Sequence, residues 1–274
     1  MKKDYLNYLI SLETSGIKLG LERTKKLMKA CGSPHKGLKC IQIVGTNGKG
    51  STSAILSNIL KNCSYKVGLY TSPHLTNINE RIRINGKSIP DEKIIEFINF
   101  FKDDINKLKV SFFEAMTAMA IWYFKNEKVD IAVLETGLGG RLDSVTICKP
   151  QMVIITRISY DHQHILGNTL EKIALEKAGA IKNNTICVSY PQTQTVKKVL
   201  EKKIKSTNSK IKYISTQNDQ IQLNGEHQAL NATLAIEALN NLNNLKITQE
   251  SIQKGLETIS WPGRIQKINN KPNI

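Results

Sequence analysis

Short apolar runs alternate with longer segments of helical periodicity along most of the chain. The runs are almost continuously apolar, as expected for strands that are covered on both faces of a sheet. Because this alternation is typical of βαβ units, we predict an α/β fold with a mostly parallel sheet flanked by helices. The predicted strands are Ile41–Val44, Val67–Tyr70, Ile131–Leu134, Met152–Ile158, Ile186–Val188 and, more weakly, Lys212–Ser215 and Ile221–Leu223. The predicted helices are Ser51–Lys61, Glu92–Lys107, Phe112–Asn126, Leu170–Ala178, Thr193–Lys203, Glu226–Leu242 and Thr248–Thr258.

A glycine-rich segment joins the first predicted strand to a helix, and we call it the phosphate loop. Its glycines let the backbone turn successive N–H groups towards phosphate oxygens, and the following helix adds the positive end of its dipole. Lys49 supplies a cation for the β- and γ-phosphates, and Ser51 or Thr52 can bond a phosphate or the shell of a metal ion. The spacing departs from the common G-x-x-x-x-G-K-[ST] loop, because Gly50 stands between the lysine and Ser51. The loop comprises Gly45, Thr46, Asn47, Gly48, Lys49, Gly50, Ser51 and Thr52.

Polar side chains follow three further predicted strands. Ser72, Glu135 and His162 all come after apolar runs, at the sheet edge where open α/β folds place their ligands. Singly, Ser72 before Pro73 is also consistent with a turn, and His162 with a hydrogen-bonded structural histidine. A hydroxyl, a carboxylate and an imidazole beside a phosphate loop together indicate Mg²⁺ binding.

Lys177 lies on the apolar stripe of its predicted helix. The stripe recurs at helical spacing through Leu170, Ile173, Ala174, Lys177 and Ala178. The lysine could extend its stem so that the amine reaches water. Alternatively, the amine is desolvated, its pKa is depressed, and the neutral form can add CO₂ to become an anionic carbamate.

Composition narrows the classes of function. The formal charge of +16 could attract a polyanion, but the lysines are dispersed and aromatic residues make up only 6%, so nucleic-acid binding is the least favoured function. Five scattered cysteines without a CxxC pair indicate free thiols in the cytoplasm rather than a zinc or redox site. No run of eighteen apolar residues occurs, and no secretory signal precedes the first helix, so we expect no membrane association.

The motifs resemble one enzyme family in the same order along the chain. GTNGKGS is similar to the phosphate loop of the folylpolyglutamate and dihydrofolate synthases, which belong to the Mur ligase superfamily. The resemblance continues through TSPHL at Thr71–Leu75, ERIR at Glu80–Arg83, FFEAMTA at Phe112–Ala118, ETGLGGRLD at Glu135–Asp143, Asp161-His162, Leu170–Lys182, GEHQ at Gly225–Gln228 with Asn231, and WPGR at Trp261–Arg264. It implies a Mur-ligase-like P-loop domain.

This resemblance also implies an activity. The expected reaction uses ATP and Mg²⁺ to convert the carboxylate of dihydropteroate or a reduced folate into an acyl phosphate, which L-glutamate then attacks. The implied catalytic residues are Lys49, His162 and Lys177, and the implied metal ligands are Ser72, Glu135, His162 and a carbamylated Lys177. Asn231 and Arg264 are implied ATP contacts; a helix-surface hydrogen bond and a linker salt bridge are their respective alternatives. Gly20–Arg23 and Ser111–Glu114 match segments near the pterin, or serve ordinary packing.

Two kinds of departure from the family pattern accompany the resemblance. Ser144-Val145-Thr146 replaces the usual Ala-Thr-Asn, and Arg157–Tyr160 replaces a small, uncharged run, so we expect an altered substrate-facing loop. We also expect residues 1–264 to form the ATP- and Mg²⁺-binding domain and residues 265–274 to begin a linker towards a glutamate-binding domain that the chain lacks. A separate polypeptide would then supply that domain. The alternatives are a nucleotide-binding module without ligase activity and a Mur-type amino-acid ligase.

Overall fold

The apolar runs form one sheet. The computed structural model describes residues 2–13, 16, 20–215, 221, 223, 225–242 and 245–264. Within them, eight strands pair in the order β4-β3-β2-β5-β1-β6-β7-β8. The six strands β2-β5-β1-β6-β7-β8 are parallel to one another. This confirms the predicted mostly parallel sheet. The strands are β1 (Cys40–Val44), β2 (Val67–Tyr70), β3 (Ile82–Ile84), β4 (Lys87–Ser88), β5 (Ile131–Glu135), β6 (Met152–Ile155), β7 (Ile186–Ser189) and β8 (Lys210–Tyr213).

Helices cover both faces of the sheet. They are α1 (Lys2–Glu13), α2 (Glu22–Ala30), α3 (Lys49–Asn62), α4 (Asp91–Lys107), α5 (Phe112–Asn126), α6 (Gln163–Leu166), α7 (Leu170–Ala178), α8 (Gln194–Ser206), α9 (Glu226–Asn240) and α10 (Gln249–Glu257). Short 3₁₀ turns lie at Ile78–Arg81 and Ser144–Ile147. None of the helices in the described ranges is both long and apolar enough to cross a membrane.

Alternation along the strands divides the core between the two faces. In β1, Ile41 and Ile43 pack with residues of α3, α9 and α10. Cys40 packs in the cluster built from α1, α2, α4 and α5, while Val44 packs with α7 and α8 on the same face. Successive strand residues point to opposite faces, so a strand covered on both sides must be apolar at almost every position.

Several local predictions differ from the structure. The strand predicted to run to Ile158 ends at Ile155, because Arg157 turns its carbonyl towards the phosphate loop instead of towards β7. The hairpin β3–β4 was not predicted, although Asn85 and Gly86, both with positive φ, form the Asn-Gly turn typical of hairpins. Helices α1 and α2 were also missed.

The weakest predicted strands are displaced or absent. The final strand, β8, begins two residues before the predicted Lys212. Ile221 and Leu223 lie outside any strand, and residue 222 is not among the described residues. The predicted linker 265–274 is likewise outside the described residues.

Helix α3, which begins at the phosphate loop, is held by close packing against α10. A Cβ added to Gly255 of α10 would lie 2.7 Å from the Cα of Ile59 in α3, so the two backbones approach too closely for a side chain. We therefore expect Gly255→Leu to lower the free energy of unfolding by about 1–3 kcal/mol, because the helices must separate. Urea denaturation measures the change.

A matched control is available on the same helix. Lys254 is exposed on α10, so Lys254→Leu adds the same side chain without forcing it against α3. Equal stability of the two variants would contradict this account of the α3–α10 contact.

Candidate active site

The phosphate loop turns sharply between β1 and α3, at positions where only glycine fits. A Cβ on Gly45 would lie 1.9 Å from the Oγ1 of Thr156, and Gly48 has a φ of 88°. A Cβ on Gly48 would also lie 2.5 Å from the Oδ1 of Asn231. The crowding at both positions and the positive φ at Gly48 explain why the sequence has glycine there.

Neighbouring backbone holds the loop in place. The amide of Thr46 donates to the carbonyl of Arg157 over 2.8 Å, and its hydroxyl donates to the carbonyl of Ser159 over 3.0 Å. The Nζ of Lys49 donates to the carbonyl of Thr46 over 2.9 Å, which places the ammonium group over the loop. Gly50, Ser51 and Thr52 follow in the first turn of α3, whose free N–H groups and dipole favour an anion.

Ser72 and Glu135 lie together because β2 and β5 are parallel neighbours. The amide of Ser72 donates to the Oε2 of Glu135 over 3.0 Å, and a Cβ on Gly50 would be 3.6 Å from both carboxylate oxygens. Glu135 is 4% exposed, and burial raises its pKa to about 7 against the opposing influence of the Lys49 charge. A buried carboxylate thus lies beside a serine and the start of α3.

Lys177 is buried rather than extended to water. It is 3% exposed, and its Nζ donates to the carbonyl of Gly45, the first residue of the phosphate loop, over 2.6 Å. Burial and the nearby charge of Lys49 lower its pKa to about 7. An amine with a pKa of about 7 is roughly half neutral at pH 7, and the neutral form is the one that the hypothesis of a carbamate requires.

His162 occupies a different environment from Lys177. It adopts a left-handed conformation with a φ of 46°, and its Nε2 lies 3.4 Å from the Oδ2 of Asp161. Its side chain is 45% exposed, and it borders the same cleft as Ser72 and Lys49.

The two residues from the later motifs lie in different surroundings. Asn231 of α9 is buried; its Oδ1 accepts from the hydroxyl of Thr52 over 3.4 Å and its Nδ2 donates to Gln228 over 3.0 Å. Its amide is thus bonded both to α3 and within its own helix. Arg264 is exposed and borders a second cleft of about 450 Å³ together with Trp261.

A cleft of about 500 Å³ opens beside the phosphate loop. Phe112 and Phe113 of α5 and Leu138 form its apolar side, and the carboxylates of Glu114 and Asp143 lie among its polar groups. Of the two segments predicted near a pterin, Ser111–Glu114 borders this cleft, whereas Gly20–Arg23 is not among its lining residues. Such a combination of flat apolar walls with a few directed polar groups is typical of small-molecule sites.

Two residues of the cleft were not singled out from the sequence. Asp143 accepts hydrogen bonds from the amides of Gly137, Leu138 and Val145, and burial raises its pKa to about 6. Arg81 is 8% exposed and donates from Nε to the Nδ1 of His74 over 2.8 Å. Asp143 belongs to the ETGLGGRLD motif and Arg81 to the ERIR motif. An acidic residue in a glycine-rich loop after a strand is the sequence feature that could have identified Asp143.

The residues beside the phosphate loop include oxygen donors of the kind that Mg²⁺ binds. The described part of the chain has no group of three or more His, Cys, Asp or Glu side chains arranged around a metal position. Ser72 and Glu135 offer oxygen ligands beside the phosphate loop, and Mg²⁺ commonly takes one or two such groups and completes its shell with water and substrate phosphates. These residues fit that pattern.

Comparison with known proteins assigns the class first. Residues 43–185 match the family model of the Mur ligase middle domain, which spans more than half of the chain. The chain is therefore a member of the Mur ligase group, in agreement with the predicted fold.

Individual relatives narrow the family. A dihydrofolate synthase/folylpolyglutamate synthase of Bacillus subtilis is 36% identical over an alignment covering 94% of this chain and 68% of the relative. The crystal structure of folylpolyglutamate synthase from Thermotoga maritima has a TM-score of 0.87 and 33% identity, covering 97% of this chain and 68% of that one. Mycobacterium tuberculosis folylpolyglutamate synthase, complexed with ADP and AMPPCP, has a TM-score of 0.90 and 27% identity, covering 100% and 70%.

The chain belongs to the folylpolyglutamate/dihydrofolate synthase family, whose members are ATP-dependent ligases. It spans about two thirds of the length of the relatives described above. The family resemblance drawn from the motifs is thereby confirmed.

The geometry of Gly48 makes a testable prediction about the phosphate loop. Gly48→Ala forces a side chain against Asn231 in a left-handed backbone, so we expect weaker binding of AMPPCP with Mg²⁺, by about tenfold or more. Calorimetric titration measures the affinity.

Gly86 provides the matched control. Its φ of 84° is close to that of Gly48, but a Cβ there meets no atom within 4 Å. Gly86→Ala therefore has the backbone strain without the crowding, and we expect it to leave AMPPCP affinity unchanged. Equal affinity in the two variants would contradict the assignment of the loop.

Proposed function

We propose that this chain carries the ATP- and Mg²⁺-binding part of a ligase that joins L-glutamate to dihydropteroate or a reduced folate. One observation carries the proposal: the phosphate loop, with Lys49, opens directly into the cleft formed by Phe112, Phe113 and Asp143. The γ-phosphate of ATP bound to the loop would then face the carboxylate of a substrate whose aromatic part lies in the cleft. The family relatives are named for this activity.

In this mechanism the substrate carboxylate attacks the γ-phosphorus of ATP. A new P–O bond forms as the bond to the β-phosphate oxygen breaks, so ADP leaves and an acyl phosphate remains. The amine of glutamate then attacks the acyl carbon, phosphate leaves, and the nitrogen loses a proton to give the amide. Lys49 and the N–H groups at the start of α3 would offset the negative charge that spreads over the transferred phosphoryl oxygens.

We assign the metal site to Ser72, Glu135, His162 and Lys177. Bound Mg²⁺ would supply positive charge to the β- and γ-phosphates. Support comes from the contact between Ser72 and Glu135 and from the burial of the Glu135 carboxylate beside α3. Asn231 and Arg264 would contact ATP from α9 and from the border of the second cleft, respectively.

Residues 1–264 would act as one ATP-binding domain in this proposal, and the free thiols of all five cysteines are consistent with a cytoplasmic setting.

The activity test is ADP release by the purified chain with Mg-ATP, dihydropteroate and L-glutamate. We expect release that depends on both substrates and that Glu135→Gln lowers at least about 100-fold, because a neutral amide replaces the carboxylate.

The assay is run in two arms. One arm uses the chain alone, and the other supplements it with the part of the Bacillus subtilis relative that lies beyond the aligned region. The second arm asks whether glutamate transfer needs residues supplied by another polypeptide. AMPPCP binding without glutamate-dependent ADP release in either arm would refute the ligase proposal and favour a nucleotide-binding module.

The proposal includes a carbamate at Lys177. The neutral amine would attack the carbon of CO₂, forming an N–C bond and releasing a proton, and the resulting anion would serve as a metal ligand. Because the pKa of Lys177 is about 7, carbamate formation should increase as pH rises through 7 and the amine loses its proton. ¹³C NMR of the protein with labelled bicarbonate should show a carbamate signal that grows across this range.

Lys177→Arg should remove the carbamate signal, since a guanidinium does not react with CO₂. Lys182 is the control, because it is also partly buried and its pKa is also lowered, but its Nζ points to the carbonyl of Gly179. A signal that survives Lys177→Arg and disappears in Lys182→Arg would overturn the assignment.

A further inference from the structure

Gln42 is a polar residue inside an apolar strand. It occupies the middle of β1, the strand between β5 and β6, and is 1% exposed. The neighbouring residues of β1 are Ile41 and Ile43, both fully buried. A buried primary amide is unfavourable unless its polar atoms are bonded, and the Oε1 of Gln42 has no partner within the described structure. An amide in this position therefore requires an explanation other than packing.

The other half of the amide bonds to both ends of one loop. The Nε2 of Gln42 donates to the Oγ1 of Thr136 over 3.1 Å and to the Oγ1 of Thr146 over 2.8 Å. Thr136 directly follows Glu135, and Thr146 lies in the 3₁₀ turn after Asp143. The hydroxyl of Thr146 in turn donates to the carbonyl of Gly140 over 2.6 Å. Gln42 thus connects the start, the middle and the end of the 136–146 loop.

This loop carries one wall of the cleft. The amides of Gly137 and Leu138 donate to the Oδ2 of Asp143, each over 2.9 Å, so the carboxylate is fixed by the loop that contains it. Gln42 itself does not border the cleft. Its effect on a ligand would therefore be transmitted by the loop and not by contact.

The same loop rests on the helix that holds Lys177. The amide of Arg141 donates to the carbonyl of Glu176 over 2.8 Å. A Cβ on Gly140 would lie 2.7 Å from the carbonyl oxygen of Lys177, so the two backbones are in close contact. Displacement of the loop would change its fit against α7 as well as the position of Asp143.

We infer that Gln42 is a positioning residue for the carboxylate substrate, acting through the 136–146 loop. The inference rests on the proposed function, because it assigns the cleft to dihydropteroate. The phosphate loop lies at the carboxyl end of the same strand and is held by hydrogen bonds to Arg157, Ser159 and Lys177, none of which belongs to the 136–146 loop. Loss of the Gln42 hydrogen bonds should therefore affect the cleft far more than nucleotide binding.

The test uses the full chain with AMPPCP, Mg²⁺ and dihydropteroate as probes. Gln42→Met keeps the length of the side chain and removes both hydrogen bonds. We expect dihydropteroate binding to weaken about tenfold, as is typical when a group that orients site residues is removed, with less than about a twofold change for AMPPCP. Thr146→Val should reproduce the loss, and the double variant should lose little more than either single variant, because both break one network.

Ile41→Val is the control for stability. It removes one buried methyl group from the same strand, on the face that packs against α3, and leaves the Gln42 hydrogen bonds intact. It should leave the affinity for dihydropteroate unchanged. A similar loss in Ile41→Val, or equal losses for dihydropteroate and AMPPCP in Gln42→Met, would overturn the inference.

Hydrogen exchange gives a readout that needs no ligand. In Gln42→Met the amides of Gly137, Leu138 and Val145 should exchange faster, while the amide of Thr46 in the phosphate loop should not. Unchanged exchange of the three loop amides would contradict the positioning role. A different outcome is that the native chain binds AMPPCP but not dihydropteroate, while the three loop amides still exchange faster in Gln42→Met. That result would refute the proposed substrate and leave the positioning role of Gln42 standing.

Discussion

Parallel pairing of β1 with β5 on one side and β6 on the other is the constraint on which the site depends. The register places Ile43 opposite Glu135 and Val44 opposite Ile155. Since all three strands end at the same edge, the phosphate loop, the Glu135 carboxylate and the Arg157 backbone emerge side by side. The helices on both faces fix the register of these strands. Each strand is buried on both sides, and a shift by one residue would move its side chains to the opposite faces of the sheet.

Burial governs the electrostatics of the site. Desolvation raises the pKa of Glu135 and Asp143 and lowers that of Lys177, and in each case burial is the largest cause of the shift. Lys49 opposes the shift of the two acids and reinforces that of the lysine. Buried acids and an amine with pKa values near 7 can gain or lose a proton at a small cost in free energy. This property suits a site that must bind a triphosphate and a divalent cation.

The loops differ in how they are fixed. Arg157, Ser159 and the side chain of Lys177 hold the phosphate loop. The 136–146 loop is held instead by Gln42, Thr146 and the carboxylate of Asp143. The chain has Ser144-Val145-Thr146 where relatives were expected to have Ala-Thr-Asn, and here the substituted residues have partners: Thr146 bonds to Gln42 and Gly140, and Ser144 pairs with Thr24 over 3.1 Å. The departure therefore coincides with an internal network, on the side of the cleft where an altered loop was expected.

The sequence by itself determined the fold class, the phosphate loop and the family. These depend on local signals: apolar runs of strand length, glycines at fixed spacing, and ordered motifs. It also indicated that Lys177 lies on an apolar face, because helical periodicity is local. Only the tertiary structure decided that Lys177 bonds to Gly45, that Asn231 is buried against Gly48, and that Asp143 and Arg81 border the cleft. Such contacts join residues far apart in the chain, and their geometry follows from strand order and helix packing, which no local pattern encodes.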